Sequence, residues 1–122
     1  MRSERLYLID IYEAVKTVEE FTANVEKDTF LTNELLQSAV LHKLGIIGEA
    51  AVSRLSIELK NRFPEVDWKA IVGTRNILVH VYFAINLEVI WAAATEQMRP
   101  LQDQIRRILL TEFPGLEIDA DS

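Results

Sequence analysis

The chain has 122 residues, 49% of them hydrophobic and 26% charged, which is the size and composition of one globular domain with a real core. It has no cysteine, which excludes disulfides and thiolate metal sites and fits a reducing cytosol. A formal net charge of −6 argues against broad, non-specific binding to nucleic acid, while leaving room for a local basic cleft on an acidic body.

Met1-Arg2-Ser3-Glu4-Arg5 leads into a mixed polar and apolar segment without a signal-peptide pattern. Residues 4–26 then carry a stripe at helical spacing: Leu8, Ile11, Tyr12, Val15, Val18, Thr22 and Val25. Ser3 is placed to cap that helix. Lys27 to Thr32 reads as a short connection, with Thr32 or Asn33 capping the next helix. A second stripe, Leu36, Val40, Leu44, Ile47, Ala51, Leu55 and Leu59, predicts one long helix from Glu34 to Arg62, and Gly45 and Gly48 within it predict the close approach of another backbone. Phe63-Pro64 ends it, and Asp67 can cap a helix that starts at Trp68. The run Ile77 to Phe83 would suit a strand, but a lone strand among helices has no partner, so helix is favoured. Asn86 can cap a last helix, Pro100 should kink it, and Phe113-Pro114-Gly115 should stop it. The chain therefore reads as an all-α, antiparallel bundle of four to five helices over residues 1–115, with an acidic tail at 116–122. No apolar stretch reaches the roughly 18 residues of a bilayer span, so no membrane partner and a cytoplasmic location are expected.

Within this pattern Arg75, Asn76, His80 and Tyr82 punctuate an apolar run, and polar groups in such a setting cost free energy unless they are paired or used. An imidazole can move protons near neutral pH, and a guanidinium gives a permanent charge with a bidentate grip on phosphate. Together they suffice for RNA cleavage without a metal: the ribose 2′-hydroxyl attacks the adjacent phosphate, His80 transfers protons, and Arg75 stabilises the developing charge. Positions five apart on a regular helix are turned by about 140°. Arg75 and His80 therefore meet either at a helix end or distortion, or across a two-fold axis between two copies of the chain. Positive charge also collects nearby, at Arg54, Lys60, Arg62, Lys69 and Arg75.

The residues Arg75, Asn76, His80 and Tyr82 fit an R-x4-H-x-Y pattern, and the chain resembles the HEPN-superfamily ribonuclease toxins of the HepT type. Gly45-Ile46-Ile47-Gly48-Glu49-Ala50-Ala51 is similar to that family's central helix, and Asp67 to Thr74 to its approach to the motif. The resemblance implies a homodimer whose paired motifs form one RNA-cleaving cleft, with Arg75 and His80 catalytic, no cofactor and no metal. It implies a partner, a minimal nucleotidyltransferase antitoxin that transfers AMP to Tyr82, and tRNA as the suggested substrate class.

Plainer readings stand beside these. His80 could be a hydrogen-bonded core histidine, Arg75 an ion-pair residue, and Tyr82 an interface aromatic. Asn76 could brace a turn or orient His80 from four residues away, and Glu49 could pair with Arg75 or simply be solvated. His42 reads as a surface or packing residue. The competing functional reading is a non-catalytic subunit that binds nucleotide or a partner; a purely structural, oligomerising bundle is the third.

Overall fold

Ser3 opens the first helix, although its hydroxyl makes no capping bond; its carbonyl accepts from Leu6 N–H at 3.1 Å instead. The computed structural model describes residues 3–80 and 84–115, and these contain helices and no strand. The elements are α1 (Glu4–Thr22), α2 (Lys27–Thr32), α3 (Glu34–Ser53), α4 (Ile57–Arg62), α5 (Trp68–His80), α6 (Leu87–Ala92), a π-helical turn (Ala93–Gln97) and α7 (Met98–Glu112). Four long rods result, because α6, the π turn and α7 run on as one. The expected all-α bundle is the fold.

Cross-chain contacts fix the directions. Glu4, at the start of α1, accepts from Ser56 N–H just beyond the end of α3, while Glu19, late in α1, pairs with Arg99 at the start of α7 at 3.5 Å. Thus α1 runs antiparallel to both. The core fills the space between them, with Leu8, Val15, Val18, Val40, Ile105 and Ile108 at 0% exposure. Each such side chain contributes about 1.5–3 kcal/mol by leaving water. α3 also has the length and mean hydropathy (1.2) of a bilayer span. That departs from the expectation that no segment has this character. Its apolar faces pack against α1 and α5 in the bundle.

Three boundaries differ from the sequence reading. The long second helix stops at Ser53 rather than continuing to Arg62. Leu55 N–H turns back to Ala50 C=O at 3.1 Å, Lys60 Nζ donates to Ala51 C=O at 2.8 Å, and Ser56 caps α4 through Leu59 N–H at 3.1 Å. The apolar stripe continues through the break, so periodicity could not reveal it; the caps make it. The segment Lys27–Thr32 is a helix, α2, not a plain connection, and Lys27 reaches Glu88 at 2.8 Å while Phe30 packs on Trp91 with ring centroids 5.2 Å apart. The first helix ends at Thr22, and Asn24 turns the chain with φ 59°.

The other caps follow the expected residues. Asn33 accepts from Leu36 N–H at 3.0 Å, Asp67 from Ala70 N–H at 3.0 Å, and Asn86 from Glu88 N–H at 2.9 Å. Pro100 sits in the first turn of α7, and the distortion it was expected to impose takes the form of the π turn directly before it. A proline lacks the N–H for the preceding turn and crowds its carbonyl, and a widened turn relieves both. Gly115, at φ 95°, ends the described chain in a left-handed conformation. The acidic tail, residues 116–122, lies outside the described residues.

Candidate active site on helices α3 and α5

Helix α5 lies against α3 because α3 offers no side chain at one position. A Cβ built on Gly48 would fall 2.6 Å from Arg75 Cβ and 3.3 Å from Arg75 Cα. Only glycine allows this approach, so Gly48 is the packing device expected of it. Gly45 is not: nothing lies within 4 Å of its would-be Cβ. It faces an open groove lined also by Ser38, Leu41, His42, Ile46, Glu49 and Leu78. Leu78, later in α5, thus meets α3 earlier than Arg75 does, so these two helices are antiparallel as well.

The close approach brings Arg75 to Glu49. Arg75 Nε donates to Glu49 Oε2 at 3.3 Å, and Arg75 Nη1 donates to Asn76 Oδ1 at 3.2 Å. Glu49 Oε1 accepts from Ser53 Oγ at 2.8 Å. Of the two readings of Glu49, the ion pair is the one observed, and Asn76 engages the guanidinium. Ser53 was missed by sequence reasoning. Its only signal was its position four residues after Glu49 on one helix face, a spacing too common to single out. Both carboxylate oxygens are engaged, which orients Glu49 towards holding Arg75 rather than towards a metal ion.

The hydroxyl of Ser53 is the main influence that holds the Glu49 carboxyl below its ordinary range; partial desolvation opposes it, and Arg75 and Arg54 add to the lowering. Because the folded pKa is depressed, the pair's contribution is complete above the unfolded carboxylate value. It is lost as pH falls through the lower folded value. The Arg75–Glu49 pair should therefore persist across pH 5–8, and a proton-transfer limb of activity in that window should not move in Glu49→Gln. A pH–rate profile checks this; a displaced limb would assign the titration to Glu49. Arg75 is 24% exposed and Glu49 52%, and such surface pairs add little stability, at most about 1 kcal/mol. What the pair does supply is a fixed orientation for the guanidinium.

Helix α5 runs without interruption from Trp68 to His80. No break therefore lies between positions 75 and 80, and the distortion that could have joined them inside one chain does not occur. His80 is the last residue of α5. Its side chain, and Tyr82 entirely, lie outside the described residues, so the roles expected of them, and of Asn76 in orienting His80, carry forward as proposals. His42 is an exposed residue on the groove beside Glu49.

Residues 11–108 match the family model described as "Ribonuclease HepT-like". The chain is 34% identical over 107 residues to the "Probable ribonuclease HepT" of Thermococcus cleftensis, covering 88% of this chain and 96% of that one. It is 35% identical over 104 residues to a "Putative RNase" of Methanocaldococcus jannaschii, covering 85% and 94%. A second protein of that name from the same organism is 41% identical over 87 residues, covering 71% of each chain. No solved structure matches.

Proposed function

The chain belongs to the HepT-like ribonuclease family, and from that premise we propose that it is an endoribonuclease toxin whose catalytic pair is Arg75 and His80. The observation that carries the assignment is the held guanidinium: Arg75 is held at Nε by Glu49 and at Nη1 by Asn76, five residues before a histidine that ends the same unbroken helix. An arginine pre-oriented in this way loses little freedom when it meets a phosphoryl oxygen.

The reaction is transesterification. The 2′-hydroxyl oxygen bonds to phosphorus, the P–O5′ bond breaks, and the products are a 2′,3′-cyclic phosphate and a 5′-hydroxyl. His80 accepts the 2′-hydroxyl proton, and an imidazolium supplies a proton to the leaving 5′ oxygen. Arg75 stabilises the added charge on the non-bridging oxygens. Positions 75 and 80 point about 140° apart on a regular helix, so the reading includes a two-fold homodimer in which two motifs form one cleft. Purified protein, freed of partners, should cut RNA in a total cellular RNA preparation, with tRNA the first class to inspect. Intact RNA of every class would sink the enzyme reading and favour the non-catalytic binding subunit.

Regulation is assigned to Tyr82, two residues beyond His80, and the protein to the cytoplasm, beside a minimal nucleotidyltransferase antitoxin. AMP on the tyrosine would add bulk and negative charge at the mouth of an RNA site. Co-expression with such a transferase should raise the intact mass by whole AMP units, and Tyr82→Phe should abolish the increase. An unchanged wild-type mass would contradict this arm.

A further inference from the structure

Five cations were notable in the sequence between positions 54 and 75, and the fold divides them. Arg75 pairs with Glu49, Arg62 pairs with Glu112, and Arg54 lies over the Tyr7 ring, 5.8 Å from its centroid. The two lysines do something else. Lys60 and Lys69 line a groove between α4 and α5 together with Ile57, Asn61, Trp68 and Asn76. Lys60 Nζ spends one donor on Ala51 C=O at 2.8 Å; an ammonium has three. Lys69, Asn61 and Asn76 are exposed, and Ile57 is 71% exposed, unusual for so large an apolar side chain.

We propose that this groove is the track on which the single-stranded RNA flanking the cleaved phosphate lies, with Lys69 and Lys60 contacting its backbone and the Trp68–Ile57 surface receiving a base. The proposal rests on the ribonuclease reading and extends it to substrate binding. Three observations favour RNA as the occupant. The groove is continuous with the site, since Asn76 belongs to its wall and bonds Arg75. Its cations stand out on a chain of net charge −6. A partly buried indole that shares the groove with both lysines, its Nε1 held by Phe63 C=O at 3.0 Å, combines a stacking surface with phosphate partners, the pairing used for single strands. From Asn76 to Lys69 the helix advances about 10 Å, a step of a nucleotide or two. The carboxylates nearby, Glu65 and Asp67, line an adjoining groove with the same Lys60, Asn61, Trp68 and Lys69, and Asp67 is occupied in capping α5. A polyanion on the lysines must therefore run towards Asn76, away from Glu65 and Asp67.

Binding can be read apart from cleavage. In a His80→Ala background, a fluorescent single-stranded RNA oligonucleotide is titrated at several salt concentrations. Lys69→Ala should weaken binding several-fold and flatten the slope of log K against log salt by about 0.7, the loss of one phosphate contact. Gly73, whose would-be Cβ meets nothing within 4 Å in the same groove, can take a side chain without a clash at Cβ: Gly73→Lys should tighten binding and Gly73→Glu should weaken it. Unchanged affinity and slope in all three variants would overturn the proposal, as would a shift in oligomeric state without a shift in RNA affinity. Failure of the catalytic reading looks different. There, wild-type protein binds RNA in a Lys69-dependent way and does not cut it.

Discussion

Alanine in place of His80 or Arg75 should abolish RNA cleavage and leave the helical bundle folded. Loss of a general acid–base group costs about 10²–10⁴ in rate, and loss of a charge-stabilising donor about 10²–10³. The stability cost is small for Arg75, because its pair with Glu49 is part exposed and Glu49 keeps its bond to Ser53. Single-turnover cleavage and thermal melting of the same samples separate the effects. A variant within tenfold of the wild-type rate would remove that residue from the catalytic pair. So would a variant that loses activity only in proportion to its unfolding. Glu49→Gln and Ser53→Ala should lie between, since each loosens the guanidinium without removing it.

The second large effect belongs to Gly48. Gly48→Val should destabilise the protein by about 1–3 kcal/mol, the usual cost of overpacking, and should lower cleavage beyond what the unfolded fraction explains. The clash is with Arg75 Cβ and Cα, atoms fixed to the α5 backbone, so α5 must move away from α3 and carry the guanidinium with it. Even Gly48→Ala should be net destabilising, although alanine gains about 1 kcal/mol over glycine in a helix interior. Gly45→Ala is the internal control: with open space at its Cβ it should stabilise by up to about 1 kcal/mol. Equal melting temperatures for the Gly48 and Gly45 variants would show that the close α3–α5 contact does not exist.

These two glycines also show what was legible in the sequence. Both occupy an apolar helix and looked alike as packing devices; only the neighbouring helix distinguishes them. The caps Asp67 and Asn86 could be read directly, and Asn33 as one of two neighbours with Thr32, because a short polar side chain ahead of an apolar stripe has one common use. The break after Ser53 could not, since the stripe through Leu55 and Leu59 stays in phase while tertiary bonds from Glu4 and Lys60 terminate the helix. α2 was hidden for the opposite reason: six residues are too few to show a period, and its stability comes from Phe30 and Lys27 meeting Trp91 and Glu88. At the candidate site the motif residues stood out by type and spacing. The Glu49 contact was one of two open readings, and Ser53 and the lysine groove emerged only when α3, α4 and α5 were placed side by side.

The ends left on cleaved RNA test the central claim most directly. Attack by the 2′-hydroxyl under Arg75 and His80 needs no metal and must leave a 2′,3′-cyclic phosphate and a 5′-hydroxyl. The account predicts those termini, formed at an undiminished rate in excess chelator and absent with His80→Ala. Cleavage that stops on chelation, or that leaves a 3′-hydroxyl, would contradict it.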